Sequence, residues 1–100
     1  MKNLEISLTT LRKLSVKHSV TRQEVEQCFM NRSGGLLMDT RDKHKTDPPT
    51  LWFLAFTNEA RILKIVYIQI GFKIKLKSAF SPNQTEIEIY NRHGSIAKSP

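Results

Sequence analysis

The excess of positive charge is unevenly distributed along this 100-residue sequence. Between Arg61 and Phe80 there are five basic residues and no acidic one, in a chain whose formal net charge is +7. A surface of one sign attracts polyanions such as nucleic acid, anionic lipid or an acidic protein. Scattered lysines usually serve solubility alone, but this clustering favours a polyanionic partner. The five residues are Arg61, Lys64, Lys73, Lys75 and Lys77.

Several of these side chains, with a histidine and a tyrosine, have the functional groups that metal-independent cleavage of RNA requires. Such cleavage removes a proton from the 2′-hydroxyl, stabilises a charged phosphorane and protonates the leaving 5′-oxygen. Histidine, lysine, arginine and tyrosine supply these functions between them. The candidate catalytic residues are His18, Arg61, Lys77 and Tyr90.

Each candidate also has a structural interpretation. His18, beside Lys17, can exchange a proton near neutral pH, or it can cap the end of a helix. The guanidinium of Arg61 suits two phosphate oxygens, or it forms a surface ion pair with Glu59. Tyr90 belongs to the core, or is a phenol hydrogen-bonded at the surface, or is a stacking platform that also donates a proton, and its spacing from Ile87 favours the core.

Lys73, Lys75 and Lys77 alternate along a predicted strand, which sets them about 7 Å apart. This spacing roughly matches successive phosphates of an extended single strand, so these lysines are candidates for binding RNA. Solvation, or protection of a sheet edge, is the alternative. In the neighbouring strand, Trp52 and Phe53 must point to opposite faces. One of them is therefore expected to be exposed, as a site for base stacking or for a partner protein.

A polar loop at residues 40–49 adds Arg41 and His44 as candidates for binding RNA. The alternative is a solvated loop of mixed charge, because aspartates are interleaved with the basic residues. The aspartates and His44 match neither a calcium-loop nor a zinc-site spacing. We therefore expect no metal, and we expect no cofactor because a chain this short leaves little room for a deep pocket.

Three helices are predicted to position these residues. The first follows a cap at Ser7 and ends near residues 17–19, and the second begins with a T-x-x-E capping box of Thr21 and Glu24. The third is expected to begin with an S-x-x-Q box at Ser81 and to end at Gly94. The N-terminal residues expected to face the core are Leu8, Leu11, Leu14, Val25, Cys28 and Phe29.

The strands lie between the second and third helices. Residues 36–39 predict a short edge strand, and residues 50–57, 61–70 and 72–80 predict three longer strands joined by tight turns. The strand over 61–70 is apolar on both faces, which indicates a central position. In the last strand, the residues expected to face the core, opposite the lysines, are Phe72, Ile74, Leu76 and Phe80.

The predicted fold is therefore α+β, with two N-terminal helices, a three- to four-stranded antiparallel sheet and one C-terminal helix. We expect the helices to cover one face of the sheet. A single domain is predicted over residues 1–94, followed by a disordered tail at 95–100.

Four short motifs occur in a fixed order along the chain. Residues 17–29 read Lys-His-Ser-Val, Glu-Val and Phe, and residues 39–41 read Asp-Thr-Arg. Residues 61–67 read Arg-x-Leu-x-Ile-x-Tyr, and residues 77–90 read Lys-Ser-Ala-Phe, Glu and Tyr. In this order they resemble the K-H-G-V…E-A…F, D-x-R, R-x-L-x-V-x-Y and I-S-A-R…E…Y motifs of BrnT-type toxins. The likeness extends over residues 11–90.

The resemblance implies a RelE-like fold, endoribonuclease activity and a cognate antitoxin that covers the active face. It implies that Arg61 lies near that face, and it ranks Lys77, with Ser78, first in the lysine-bearing strand. Lys17 and Ser78 are accordingly further candidates for binding RNA. The chain has Ser19 and Phe80 where the family often has glycine and arginine. The absent arginine bears on catalysis more than on fold.

Other classes of function are disfavoured. Cys28 is the only cysteine, which excludes an internal disulfide and fits a reducing cytoplasm, and no stretch approaches the roughly 20 apolar residues of a membrane span. We therefore predict a cytoplasmic RNA-binding protein without a membrane partner. Three hypotheses follow: a toxin-type endoribonuclease under antitoxin control, a non-catalytic RNA- or protein-binding module of the same fold, and a small domain whose charge serves solubility.

Overall fold

The structure, a computed structural model, describes residues 1–41 and 46–94. His44 and the predicted tail lie outside the described residues. The predicted α+β class is confirmed. In chain order the elements are β1 (Leu4–Glu5), α1 (Leu8–Lys13), a π-helical segment (Leu14–His18) that continues α1, α2 (Arg22–Asn31), β2 (Leu37–Met38), β3 (Thr50–Phe56), β4 (Ile62–Ile70), β5 (Lys73–Phe80) and α3 (Gln84–His93).

The strands form one mixed sheet in the order β1-β5-β4-β3-β2. Three neighbouring pairs are antiparallel, and β4 is central as predicted. The prediction of three or four antiparallel strands is corrected by β1, which pairs in parallel with Ile74 and Lys75 of β5. Two residues are too few to show an alternating pattern, so β1 could not be recognised from the sequence.

The helices pack on both faces of the sheet, so the expectation that they cover one face is wrong. On one face the ring of Phe29, from α2, lies 5.1 Å from Phe53 and 5.2 Å from Tyr67. On the other face Tyr90, from α3, lies 5.7 Å from Trp52. Both Trp52 and Phe53 are buried as a result, which corrects the expectation that one of them would be exposed.

A β-bulge in β5 changes which residues face the core. Two consecutive residues of β4 pair with residues 76 and 78, which leaves Lys77 as an extra residue without a partner. The bulge reverses the alternation, because Ala79 becomes buried and Phe80 lies opposite Lys64 on the α3 face. The prediction that Phe80 continues the buried row of β5 is therefore wrong.

Three other apolar residues predicted for the core are on the surface. Leu8 and Leu11, both on α1, are 84% and 37% exposed, and Phe72 is 91% exposed in the turn before β5. Gly71 makes that turn with a φ of +60°, a conformation that L-residues rarely adopt. The alternation of buried and exposed residues in β5 does not extend to Phe72, because Phe72 lies in the turn before the strand begins.

The first two helices begin as predicted. The Ser7 hydroxyl accepts a hydrogen bond from the amide of Thr10 at 3.1 Å. Thr21 and Glu24 form the reciprocal capping box, with both hydrogen bonds at 3.1 Å. These bonds satisfy amides at the helix N-termini that have no partner within the helix.

The start of α3 differs from the prediction. The capping box is formed by Asn83 and Glu86, with bonds of 2.9 and 2.8 Å, and not by Ser81 and Gln84. Asparagine caps a helix as well as serine does, and the glutamate completes the box with a charged acceptor. The helix therefore begins two residues later than predicted. No helix in the described part of the chain is long and apolar enough to cross a membrane.

Cys28 is buried beneath the sheet and donates a hydrogen bond to the carbonyl oxygen of Ala55, with the sulfur 3.6 Å away. Burial, reinforced by the charge of Glu24, raises the pKa of the thiol from 9.0 to about 12, although Arg61 acts in the opposite direction.

This raised pKa predicts a loss of stability in alkali. Above pH 9 the unfolded thiol ionises while the folded thiol stays protonated, so the unfolded state binds fewer protons. The free energy of unfolding is expected to fall by up to about 1.4 kcal/mol per pH unit as the pH rises from 9 towards 12. Urea denaturation of the wild type and of Cys28→Ala across this range tests the contribution. A shallower decline is expected for the variant, and parallel declines would contradict it.

Candidate nucleic-acid interface

A basic groove of about 720 Å³ lies between α1 and β5. Lys13 projects into it from α1, and Lys75 and Lys77 line it from β5. Among the described residues, no carboxylate lies within ion-pairing distance of these three lysines. We call Lys13, Lys75 and Lys77 the groove lysines. They form a site of concentrated positive charge.

The other charged side chains of the groove are engaged. Glu5 pairs with Lys73, with 3.2 Å between the ammonium nitrogen and the carboxylate oxygen. Arg22 pairs with Glu26 at 2.8 Å and donates to the carbonyl oxygen of Leu4 at 2.9 Å. The groove lysines therefore account for the uncompensated charge of this surface.

Lys73, Lys75 and Lys77 are all exposed, as predicted. The bulge removes Lys77 from the strand pairing, and Ser78, half-buried, re-enters it opposite Val66. Lys13, which sequence reasoning did not select, completes the groove from the facing helix. The sequence gives little reason to select Lys13 as a binding residue, because a lysine in the last turn of a helix commonly interacts with the helix dipole.

Arg61 connects the start of β4 to the end of the π-helical segment. It donates to the carbonyl oxygens of His18 at 2.8 Å and Ser19 at 2.7 Å, and it pairs with Glu24 at 3.2 Å. An ion pair was the alternative interpretation of this residue, and the partner is Glu24 where Glu59 was expected. The guanidinium is thus occupied by the protein, although its side chain is one-third exposed.

His18 ends the π-helical segment, next to the exposed Lys17. Its half-buried ring lies 5.5 Å from the ring of Phe80 at the end of β5. Among the described residues the imidazole has no hydrogen-bond partner, whereas its backbone oxygen is held by Arg61. The fold therefore brings residues from three separate sequence motifs to one end of the sheet.

Tyr90 lies apart from this cluster. This residue of α3 is fully buried between the helix and the sheet, and its hydroxyl donates to the carbonyl oxygen of Gly35 at 2.7 Å. Burial raises the pKa of this phenol, which keeps the hydroxyl protonated. The position agrees with the core interpretation and separates Tyr90 from the basic groove.

Arg41 belongs to a second groove, of about 700 Å³, between α3 and the segment that follows β2. Its guanidinium forms a two-pronged contact with Asp39, at 2.8 and 3.1 Å, which raises the pKa of the arginine. Lys64 in the same groove pairs with Glu86, and its ammonium lies 4.5 Å from the centre of the Trp52 ring. The basic residues here are neutralised, unlike the groove lysines.

Within residues 1–41 and 46–94, no three His, Cys, Asp or Glu side chains are grouped so as to hold a metal ion. No protein-family model matches this chain, and no curated protein is significantly similar to it. The BrnT-type resemblance therefore rests on the ordered sequence motifs.

Proposed function

We propose that this protein binds single-stranded RNA along the groove between α1 and β5. The observation that carries the proposal is the set of groove lysines, which lack carboxylate partners among the described residues. Neutralisation of phosphates by lysine supplies much of the affinity of proteins for nucleic acids. The hydroxyl of Thr10 lines the same groove and is a suitable donor to a phosphate oxygen.

The proposed class is the BrnT-type group of RelE-like toxins. In support, helices precede and follow an antiparallel β3–β4–β5 sheet, and motif residues meet at one end of it. Ser19, at a position where the family often has glycine, has a φ of 52°, in the region that favours glycine. Phe80, at the position of the family's arginine, packs against His18.

Endoribonuclease activity is the second part of the proposal. The His18 imidazole favours this activity, because it makes no hydrogen bond to another described residue and so can accept or donate a proton during cleavage. His18 is then the proton-transfer residue, and Lys77 stabilises the phosphorane. Arg61 is a positioning residue that acts through the backbone of His18, and Tyr90 has a structural role. The alternative is a non-catalytic binding module that uses the same groove.

A partner antitoxin is proposed to bind near α3. The exposed apolar side chains of Met38 and Ile89 line the second groove, and its ion pairs leave little net charge. This surface is suited to a protein partner more than to RNA. The basic groove lies between α1 and β5, so this proposal departs from the expectation that the antitoxin covers the active face.

Gel retardation and cleavage of labelled single-stranded RNA in EDTA test the proposal. Salt-sensitive retardation is expected, with log K falling by about 2 per tenfold increase in salt if the three groove lysines each neutralise a phosphate. Cleavage by the wild type should disappear in His18→Gln and persist in the control His93→Gln, which alters a histidine on α3. Retardation without cleavage would support the non-catalytic binding module, and absence of retardation would contradict RNA binding.

A further inference from the structure

Phe72 is the most exposed large apolar side chain among the described residues, at 91%. It lies in the turn between β4 and β5, immediately before Lys73. Burial of an aromatic side chain is strongly favourable, so an almost fully exposed phenylalanine is a potential contact for a ligand.

The backbone that carries Phe72 is held in place. The side-chain amide of Asn3 donates to the carbonyl oxygen of Phe72 at 2.8 Å, and the amide of Ile74 donates to the carbonyl oxygen of Asn3 at 2.9 Å. On the other side of the turn, Gln69 donates to the carbonyl oxygen of Gly71 at 2.9 Å. A ring on an ordered backbone loses less conformational entropy on binding than a ring on a free loop.

Positive charge extends from this ring along the strand. Lys73 follows directly but is paired with Glu5. The cations without a carboxylate partner among the described residues are Lys75 and Lys77, which lie about 10 Å and about 17 Å along the chain from Phe72 at the rise of an extended strand. Lys2 precedes the asparagine that holds the turn. An aromatic ring at the end of a row of cations has the composition of a single-strand binding surface, where bases stack and phosphates meet lysines.

We propose that Phe72 is a stacking platform for an unpaired base of the RNA whose phosphates follow Lys75 and Lys77. This inference rests on the proposed function and adds a recognition contact to it. The linear row favours RNA over a membrane, because a flat lipid surface that meets the turn contacts only the nearest lysines. The hydrophobic contact is also small for a membrane anchor, since the described part of this turn adds only the half-exposed Ile70 to the ring.

The test compares Phe72→Ser, Phe72→Trp and Ile70→Ser with the wild type in binding a labelled 12-nucleotide oligoadenosine. Loss of one stacked base is expected to weaken binding about 5- to 150-fold in Phe72→Ser. Phe72→Trp should retain affinity, because indole also stacks on a base. Ile70→Ser should have little effect, since an aliphatic side chain offers no stacking surface.

The salt dependence of binding separates stacking from charge. Phe72→Ser should keep the wild-type slope of log K against log salt, because no phosphate contact is lost. Equal affinity of Phe72→Ser and wild type would overturn the stacking role and leave the proposed RNA binding intact. If the wild type itself binds no RNA, both proposals fail.

Vesicles containing anionic phospholipid test the alternative that the turn carrying Phe72 binds a membrane. Co-sedimentation that is lost in both Phe72→Ser and Ile70→Ser, combined with unchanged RNA binding, would assign the turn to a membrane and overturn the inference. RNA affinity that depends on Phe72 without any vesicle binding would support it. Far-UV circular dichroism of each variant verifies the fold, which exposed positions are expected to preserve.

Discussion

Replacement of Arg61 by alanine is expected to lower the free energy of unfolding by about 2–3 kcal/mol. The substitution removes charge-assisted hydrogen bonds to the carbonyl oxygens of His18 and Ser19, and it leaves Glu24 without its ion-pair partner. Hydrogen bonds to charged groups contribute about 1.5–3 kcal/mol each at most, and partial exposure reduces that value here. The end of the π-helical segment loses its polar contacts with the start of β4, while the contact of His18 with Phe80 remains.

Urea denaturation at neutral pH measures this effect, and Arg12→Ala is the matched control. Arg12 is an exposed arginine of α1 without an ion pair among the described residues, so its loss should change stability by less than about 0.5 kcal/mol. Equal changes in the two variants would show that the contacts of Arg61 contribute nothing measurable.

This result would alter how activity data on Arg61 are interpreted. Lost cleavage in Arg61→Ala would combine partial unfolding with displacement of His18, so it could not identify a phosphate contact. His18→Gln is the cleaner test, because the side chain changes while the backbone oxygen that binds Arg61 remains.

The double variant Lys75→Gln/Lys77→Gln is expected to lose RNA affinity by about tenfold to a hundredfold at 0.1 M salt. Each lysine neutralises one phosphate in the proposed complex, and each contributes about 0.7 to the slope of log K against log salt on a single strand. The slope should therefore fall by about 1.4. Both positions are exposed, so the fold should be retained.

A charge-matched control separates the groove from the net charge of the protein. Arg32→Gln/Arg92→Gln also removes two positive charges, one after α2 and one in α3. If RNA binds along β5, this control should retain most of the affinity and of the salt slope. Equal losses in both double variants would indicate attraction by overall charge and would refute the groove as the binding site.

The elements that were predicted well have signals within a few neighbouring residues. The capping box of Thr21 and Glu24 and the apolar character of β4 are local patterns, and each led to the correct element. The bulge at Lys77 has only a weak signal, because Ser78 and Ala79 interrupt the alternation of apolar and polar residues without showing where the extra residue lies. Its position depends on which residues of β4 lie opposite, a long-range relation that one strand does not reveal.

The candidate site was predicted less completely, because its contacts also depend on residues that are distant in the sequence. The exposure of the lysines in β5 followed from alternation, whereas the contact of Lys13 with the same groove depends on how α1 lies against the sheet. Arg61 had two interpretations, and a tertiary contact with Glu24 distinguishes them. Phe72 fits the alternating pattern of β5 in the sequence, but it lies in the turn, one residue before the strand begins.

The short parallel strand β1 leaves most of the outer edge of β5 without a neighbouring strand in the described chain. A straight, open edge can accept a strand from another molecule, which leads to association through the sheets. The bulge at Lys77 lies in the pairing of β5 with β4, and a bulge bends its strand, so this edge is not straight. The lysines also place like charges beside any incoming copy. The residues proposed to attract RNA thus also discourage self-association, so RNA bound along β5 would cancel part of the charge that keeps molecules of this protein apart.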